Sequence, residues 1–166
     1  MLILRIVVGL TLAAHGAQKM FGWFEGPRIA GFTRMLGALG MKPAPLWAWV
    51  ASLAELGGGL LIALGLLWPL GPLAGIGSML VAIVSVHWSK GFFSTKGGIE
   101  FPLVMLASML AIAIAGAGRF ALDALVGFRV PEPLVLLIGL VLVVLGAAGA
   151  LVSRSLPAPA SQPELG

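Results

Sequence analysis

Five ionisable side chains of types that move protons lie within or beside long apolar runs of this sequence: His15, Lys19, Glu55, His87 and Glu100. Imidazole and carboxylate groups act as acids and bases, and chains of them are suited to relaying protons. The same two groups are also ligands for transition metals. Their types therefore predict either proton-coupled chemistry or a metal site. Either function requires the helices to bring these side chains close together.

The composition indicates a membrane protein. Of the 166 residues, 60% are hydrophobic and 10% are charged, and the mean hydropathy is +1.10. Water-soluble domains are nearer to about 25% charged, so lipid must surround much of this surface. The chain has no cysteine, which excludes disulfides, thiolate catalysis and cysteine-ligated iron–sulfur clusters. Any redox chemistry must then use a borrowed cofactor.

Five apolar stretches predict an all-α membrane protein, because each approaches the roughly 20 residues that cross a bilayer. They cover residues 1–18, 46–68, 70–88, 101–118 and 134–152. The first stretch has a second interpretation as a cleaved signal peptide, with Arg5 as the positive region. Consecutive helices run antiparallel, and the turn at Pro69 makes the second and third a tight hairpin.

Two segments outside these stretches have their own patterns. Ile29, Phe32, Leu36 and Leu39 recur at helical spacing, which predicts an interfacial helix over about 28–39, with a plain loop as the alternative. Residues 153–166 are rich in proline, alanine and serine and are expected to be disordered.

The basic residues predict an orientation. Seven of the ten Lys and Arg residues fall on one side of the membrane and three on the other. By the positive-inside rule, the first and third loops and the C-terminus are cytoplasmic and the N-terminus is external. The net charge of +4 is thereby assigned to topology and to anionic lipid headgroups, not to nucleic acid.

Alternating helix directions bring the five ionisable residues to one depth. The ends of the first and third helices and the starts of the second and fourth share one side, and Gln18 lies beside Lys19. Glu55 falls on a stripe of small residues with Gly59 and Ala63, so its side chain is predicted to point inward. An ionisable group in lipid costs at least about 2.5 kcal/mol and is usually functional, although a structural Glu–Lys or Glu–His tie is the alternative.

Three stretches carry a resemblance to a known family. They are "HGAQKMFGWF" (15–24), "AELGGGLLIALG" (54–65) and "VHWSKGFFSTKGGIEFPL" (86–103). In order and spacing they resemble the DoxX family of small integral membrane proteins, over about residues 4–123. The family is similar to the small subunit of thiosulfate:quinone oxidoreductase. This sequence departs from it in having a fifth apolar span, 134–152, and an aliphatic Ile99 where an aromatic residue is common.

The resemblance implies an antiparallel four-helix transmembrane bundle over 1–123, here with a fifth C-terminal helix, in a bacterial or archaeal plasma membrane. It also implies a role in an oxidoreductase system. The family's recurring polar and glycine positions correspond to the following residues of this chain: His15, Lys19, Glu55, His87, Gly91, Phe92, Gly97, Gly98 and Glu100.

Three functions are consistent with such a polar layer. In the first, a quinone enters from the lipid, His15, His87, Glu55 and Glu100 act as catalytic groups, and a protein partner supplies electrons. The ligand-binding residues expected around them are Lys19, Gln18, Gly91, Phe92, Gly97 and Gly98. In the second, a metal binds; the sequence disfavours this because it lacks the Glu-x-x-His pairs of di-iron bundles. In the third, the protein is a non-enzymatic scaffold or lipid-handling protein. A homo-oligomer is compatible with all three.

Overall fold

The computed structural model describes residues 1–131 and 133–154. Within these residues the chain is all-helical, with seven α-helices and no strand. From residue 155 onward, the tail for which disorder is expected lies outside the described residues. The helices are α1 (Leu2–Phe21), α2 (Arg28–Ala38), α3 (Ala44–Leu64), α4 (Leu70–Ala82), α5 (Glu100–Ala115), α6 (Leu122–Val126) and α7 (Leu134–Val152).

The helix boundaries follow from local backbone chemistry. Helix α1 ends at Gly22 and α3 ends at Gly65, both in the left-handed conformation that glycine adopts without a steric penalty (φ 79° and 66°). Helix α3 begins after Pro43 and has Pro45 in its first turn, where a missing N–H costs nothing. Helix α2 overlaps the interfacial segment predicted at 28–39, and α7 covers 134–152.

The third apolar stretch is one helix with a change of winding near its end. Helix α4 is followed directly by a π-helical turn, Ile83–His87, and then by a 3₁₀ turn, Trp88–Lys90. Single π turns inside helices are frequent at functional sites. This one carries Ser85 and His87, whose positions are described below.

In the part of the chain that the structure describes, three helical segments are long and apolar enough to cross a membrane: Ala44–Leu64, Leu70–Lys90 and Leu134–Val152. Helix α5 is apolar but has only 16 residues, fewer than the roughly 20 that span a bilayer. Helix α1 has 20 residues and carries Arg5, His15 and Lys19 along its length. The five-span arrangement therefore stays a prediction, whereas an all-helical membrane protein is supported directly.

Helices α1 and α3 pack at unusually close range because glycines face each other. A Cβ atom on Gly9 would lie 2.5 Å from the nitrogen of Ala63 and 2.6 Å from the oxygen of Gly59. A Cβ atom on Gly59 would in turn lie 2.5 Å from the oxygen of Gly9. Small residues permit such backbone contact in membrane helices. The inward orientation predicted for the Glu55 face of α3 is confirmed, because Gly59 and Ala63 meet α1.

Helix α4 lies at the centre of the packing, since it contacts α3, α5 and α7. The main buried cluster joins α1, α3, α4 and α5 and consists of Val8, Leu12, Ile62, Ile76, Met79, Met105, Met109 and Ile112. A second cluster joins α2, the start of α3 and the end of α7 and consists of Phe32, Leu36, Met41, Ala48 and Ala150. Helix α7 thus packs against α4 and, at its C-terminal end, takes part in the second cluster.

The outer surface carries large exposed apolar areas, which are unfavourable in contact with water. On α7 alone, Leu137, Val141, Leu142 and Leu145 are each more than half exposed. Soluble monomers rarely present contiguous apolar patches larger than a few hundred Å². Lipid contact explains this surface, in agreement with the composition.

Candidate functional site

A buried ion pair joins α1 to α3. Lys19 Nζ donates a hydrogen bond to Glu55 Oε1, and Ser78 Oγ on α4 donates a second bond to the same oxygen at 2.6 Å. Gly16 makes the approach of α1 possible, because a Cβ atom there would overlap the backbone nitrogen of Leu56, next to Glu55. Three helices therefore converge on one carboxylate.

The two partners differ in their access to solvent. The Glu55 side chain is 0% exposed, whereas that of Lys19 is 21% exposed. The ammonium of Lys19 also lies 5.1 Å from the centre of the Phe32 ring, within range of a cation–π contact. Among the described residues, no group donates a hydrogen bond to Glu55 Oε2. A buried carboxylate oxygen without a donor costs roughly 1–3 kcal/mol or more, so it marks a position of interest.

A largely apolar cavity of about 380 Å³ lies beside this pair. It is bounded by α2, α3, α4 with its π turn, and α7. Over residues 1–131 and 133–154, its polar lining is confined to Lys19, Glu55, Ser78, Ser85 and His87. Its apolar lining comes from Phe32, Met35, Leu36, Met41, Trp47, Val50, Ala51, Ala54, Leu73, Ala74, Gly77, Val81, Ala82, Val86, Val143, Gly146, Ala147 and Ala150. This volume and this mixture are typical of small-molecule sites.

His87 connects the cavity to the loop that follows α4. Its Nδ1 lies 2.6 Å from the carbonyl oxygen of Gly97. A carbonyl can only accept, so Nδ1 carries the proton and donates it. Ser85, two residues earlier in the π turn, also lines the cavity, and its buried Oγ has no partner among the described residues.

His15 lies close to the ion pair but does not line the cavity. Its ring stacks on Phe101 of α5 with centroids 5.1 Å apart and planes tilted by 43°. It is near enough to interact electrostatically with Glu55 and Lys19. The structure thus places three predicted residues, His15, Lys19 and Glu55, in one electrostatic group at the junction of α1, α3 and α5.

The predicted loop residues build a compact cap and do not line the cavity. Ile99 N donates to Gly91 O at 3.0 Å, and Glu100 N donates to Phe92 O at 2.9 Å. Gly98 has no room for a side chain, since a Cβ atom would lie 2.6 Å from Phe92 O. Gly91, Phe92 and Gly98 are therefore joined through the backbone of a single closed loop.

Glu100 and Gln18 also have local partners. Glu100 Oε2 accepts a hydrogen bond from the backbone N–H of Ser94 at 2.8 Å, within the same loop. Gln18 Nε2 donates to the carbonyl oxygen of Phe24 at 3.4 Å, across the turn that follows α1. Gly97 adopts φ 75° and presents its carbonyl to His87. The structure brings Lys19, Glu55 and His87 to one cavity, whereas Gln18, Gly97 and Glu100 do not line it.

Sequence reasoning missed a second buried polar cluster, at the opposite ends of the helices. Arg5 is 2% exposed, and its guanidinium donates to the carbonyl oxygens of Ala117 and, at 3.2 Å, of Phe120. Arg5 is therefore a tie between α1 and the segment after α5, and it is a poor guide to membrane orientation. The sequence carried one signal of this role: Arg5 lies within an apolar run, where a charged residue usually has a partner.

Asp123 of α6 belongs to the same cluster. Its two carboxylate oxygens accept hydrogen bonds from the backbone N–H groups of Leu67 at 2.9 Å and Trp68 at 2.8 Å. Leu67 has φ 53°, a left-handed conformation that a leucine adopts only when its surroundings hold it. Asp123 therefore fixes the turn between α3 and α4. The long sequence separation of the partners concealed this role.

Among residues 1–131 and 133–154, no group of three or more histidine, cysteine, aspartate or glutamate side chains has the proximity that would hold a metal ion.

The fold and the site define an all-helical membrane protein with a buried lysine–glutamate pair beside a lipophilic cavity. The family model described as DoxX matches residues 1–88, more than half of the 166 residues, and the chain belongs to the DoxX family. The resemblance inferred from the sequence is thus confirmed. The match contains the stretches 15–24 and 54–65 and ends within 86–103. No curated protein and no solved structure shows a significant match to the chain.

Proposed function

We propose that this protein is the membrane subunit of an oxidoreductase system and binds a quinone or another lipophilic ligand in the cavity between α3, α4 and α7. The observation that carries the proposal is the pairing of an apolar cavity of about 380 Å³ with a buried carboxylate whose Oε2 has no donor among the described residues. Lipophilic ligands with a polar head match such a lining.

Exposed apolar residues in the cavity lining support entry from the bilayer. Met35 and Val50, which line it on α2 and α3, are 40% and 46% exposed, and both are apolar. An exposed apolar lining favours a ligand that partitions into lipid over one that arrives from water. A quinone supplies two-electron, two-proton redox chemistry when bound.

The residues of the chain have distinct roles in this proposal. Lys19 and Glu55 orient the head group, and His87 accepts or donates a proton at the loop end of the cavity. His15, whose ring stacks on Phe101 of α5, supplies an imidazole that relays protons on the α5 side of the ion pair. Glu100 and the loop that contains Gly91, Phe92, Gly97 and Gly98 cover this end of the bundle. Electrons come from a protein partner, because the chain has no cysteine and no evident redox centre.

The finer architecture belongs to the same proposal. Helices α1, α3, α4 and α5 form an antiparallel transmembrane bundle, and α7 crosses the membrane as a fifth span. The first and third loops face the cytoplasm of a bacterial or archaeal plasma membrane. Self-association through lipid-facing helices is compatible with this arrangement.

Two glycines on α7 offer a matched test of the cavity. A Cβ atom on Gly146 or on Gly149 would meet no atom within 4 Å, but only Gly146 lines the cavity. Gly146→Leu should therefore fill the cavity without disturbing the backbone, whereas Gly149→Leu should project elsewhere. With protein in nanodiscs, we expect Gly146→Leu to weaken binding of a short-chain quinone at least ten-fold and Gly149→Leu to leave it unchanged. Equal binding by both variants would contradict the proposal.

A second function is favoured by one observation: Glu55 Oε1 already has two donors from two other helices. In a scaffold or lipid-handling protein, this tie would serve packing alone. Glu55→Gln separates the two functions. A ligand site predicts a changed ligand affinity in a folded variant, whereas a scaffold predicts lower thermal stability with unchanged binding and unchanged electron transfer in the native complex.

A further inference from the structure

We propose that the cavity prefers the reduced, hydroxyl-bearing form of its ligand, a quinol, over the oxidised quinone. This inference rests on the proposed function and adds the redox state that the site selects. The argument depends on which hydrogen-bonding atoms around the cavity are already used and which are left over.

Glu55 leaves an acceptor. Its Oε1 is occupied by Lys19 and Ser78, while Oε2 is buried and has no donor among the described residues. The side chain is 0% exposed, so bulk water does not reach it directly. An ionised carboxylate has no hydrogen to give, so Oε2 can only accept, and a donor that reaches it from the cavity has to displace the groups that cover it.

Lys19 does not cancel this preference. Its ammonium has further N–H groups that would suit a quinone carbonyl, but its side chain is 21% exposed. Water can therefore satisfy those hydrogens without a ligand. Within the ion pair, the buried atom that lacks a hydrogen-bond partner among the described residues is therefore Glu55 Oε2.

His87 adds a second acceptor to the residues that line the cavity. Because Nδ1 donates to Gly97 O, the neutral ring carries its lone pair on Nε2. Ser85 Oγ, also buried and without a partner among the described residues, can donate or accept. Apart from the N–H groups of the partly exposed Lys19, the leftover polar atoms named on the lining residues are thus acceptors or adaptable hydroxyls. A quinone head offers only carbonyl acceptors, whereas a quinol offers O–H donors.

The experiment compares one short-chain quinol with its own quinone, under anaerobic conditions, by calorimetric titration of the full-length protein in nanodiscs. We expect the wild-type protein to bind the quinol about ten-fold more tightly or better, as a hydrogen bond to a buried carboxylate would produce. Glu55→Gln should reduce the preference to less than about three-fold. Glu25→Gln, at an exposed glutamate in the turn after α1, is the matched control and should retain it.

Each outcome has a separate meaning. Equal affinity for the two forms, or tighter binding of the quinone, overturns the inference and leaves the proposed function intact. Persistence of the preference in folded Glu55→Gln also overturns it, because another group would then select the quinol. If neither form binds, or if Gly146→Leu binds both as wild type does, the proposed function fails and the inference fails with it. If Glu55→Gln does not fold, the wild-type comparison alone decides.

Discussion

At the scale of single residues, Glu55 dominates the energetics of the site. It is buried, it is paired with Lys19, and it receives a second bond from Ser78. Breaking a buried ion pair by removing one partner costs more than removing both, because the remaining charge stays desolvated. The pair is therefore expected to behave as a unit.

Lys19→Met should lower the free energy of unfolding by about 3 kcal/mol, because Glu55 would keep its charge with only Ser78 as a donor. The double variant Lys19→Met with Glu55→Gln should recover most of that loss. Denaturation in detergent, followed by circular dichroism, measures both. Lys42→Met, at an exposed lysine, is the control and should change little. An unchanged midpoint for Lys19→Met would show that the ion pair contributes nothing to stability.

Asp123 provides a second prediction at this scale. Asp123→Ala leaves the N–H groups of Leu67 and Trp68 without an acceptor, and each unsatisfied buried group costs roughly 1–3 kcal/mol. Asp123→Asn keeps one side-chain carbonyl and should cost about half as much. Thermal unfolding of the two variants beside the wild type checks the order. If Asn were as harmful as Ala, the charge and its interaction with Arg5 would matter more than the two bonds.

At the scale of elements, the sequence predicted the all-helical class because apolar runs and their glycine and proline boundaries are local signals. It also predicted that Lys19 and Glu55 belong to one layer, since helix direction alone sets their depth. It did not predict the π turn at Ile83–His87 or the wall that α7 supplies. Both depend on how one helix packs against another, and nothing local to Ser85 or Gly146 specifies that contact.

The close packing of α1 on α3 leads to a prediction about helices. Gly59→Ala would place a Cβ atom 2.5 Å from the oxygen of Gly9, so the two helices must separate, at a cost of about 1–3 kcal/mol. Separation would also lengthen the Lys19–Glu55 contact and weaken ligand binding. Gly57→Ala is the control on the same helix, because its Cβ atom would meet nothing within 4 Å. There the better helix propensity of alanine should leave stability equal or slightly higher. Equal stability of the two variants would show that α1 can shift without penalty.

At the scale of the whole molecule, the ends of the helices divide into two groups. Arg154, after α7, bonds through Nε to Leu39 O at 3.2 Å, so the end of α7 lies beside the α2–α3 connection. Arg5, at the start of α1, lies with α6 and the α3–α4 turn. This grouping agrees with antiparallel spans and predicts which segments share a side of the membrane.

Because the sequence has no cysteine, one introduced thiol at a time reports on orientation. Lys42→Cys and Thr95→Cys, in the first and third loops, should react with an impermeant maleimide only after cells are opened. Arg129→Cys, beyond α6, should react in intact cells. All three positions are exposed in the structure. Labelling of Thr95→Cys and Arg129→Cys from the same side would exclude the antiparallel arrangement.

The cavity draws its walls from residues inside the range that matches the family model and from residues beyond it. The ion pair and the α3 and α4 faces lie within residues 1–88, which match the family, whereas Val143, Gly146, Ala147 and Ala150 lie beyond that range. The charged residues of the cavity therefore lie within residues 1–88, and part of its apolar wall lies in α7. Substitutions in α7 should therefore change which molecules fit the cavity, while Glu55 and Lys19 stay the same.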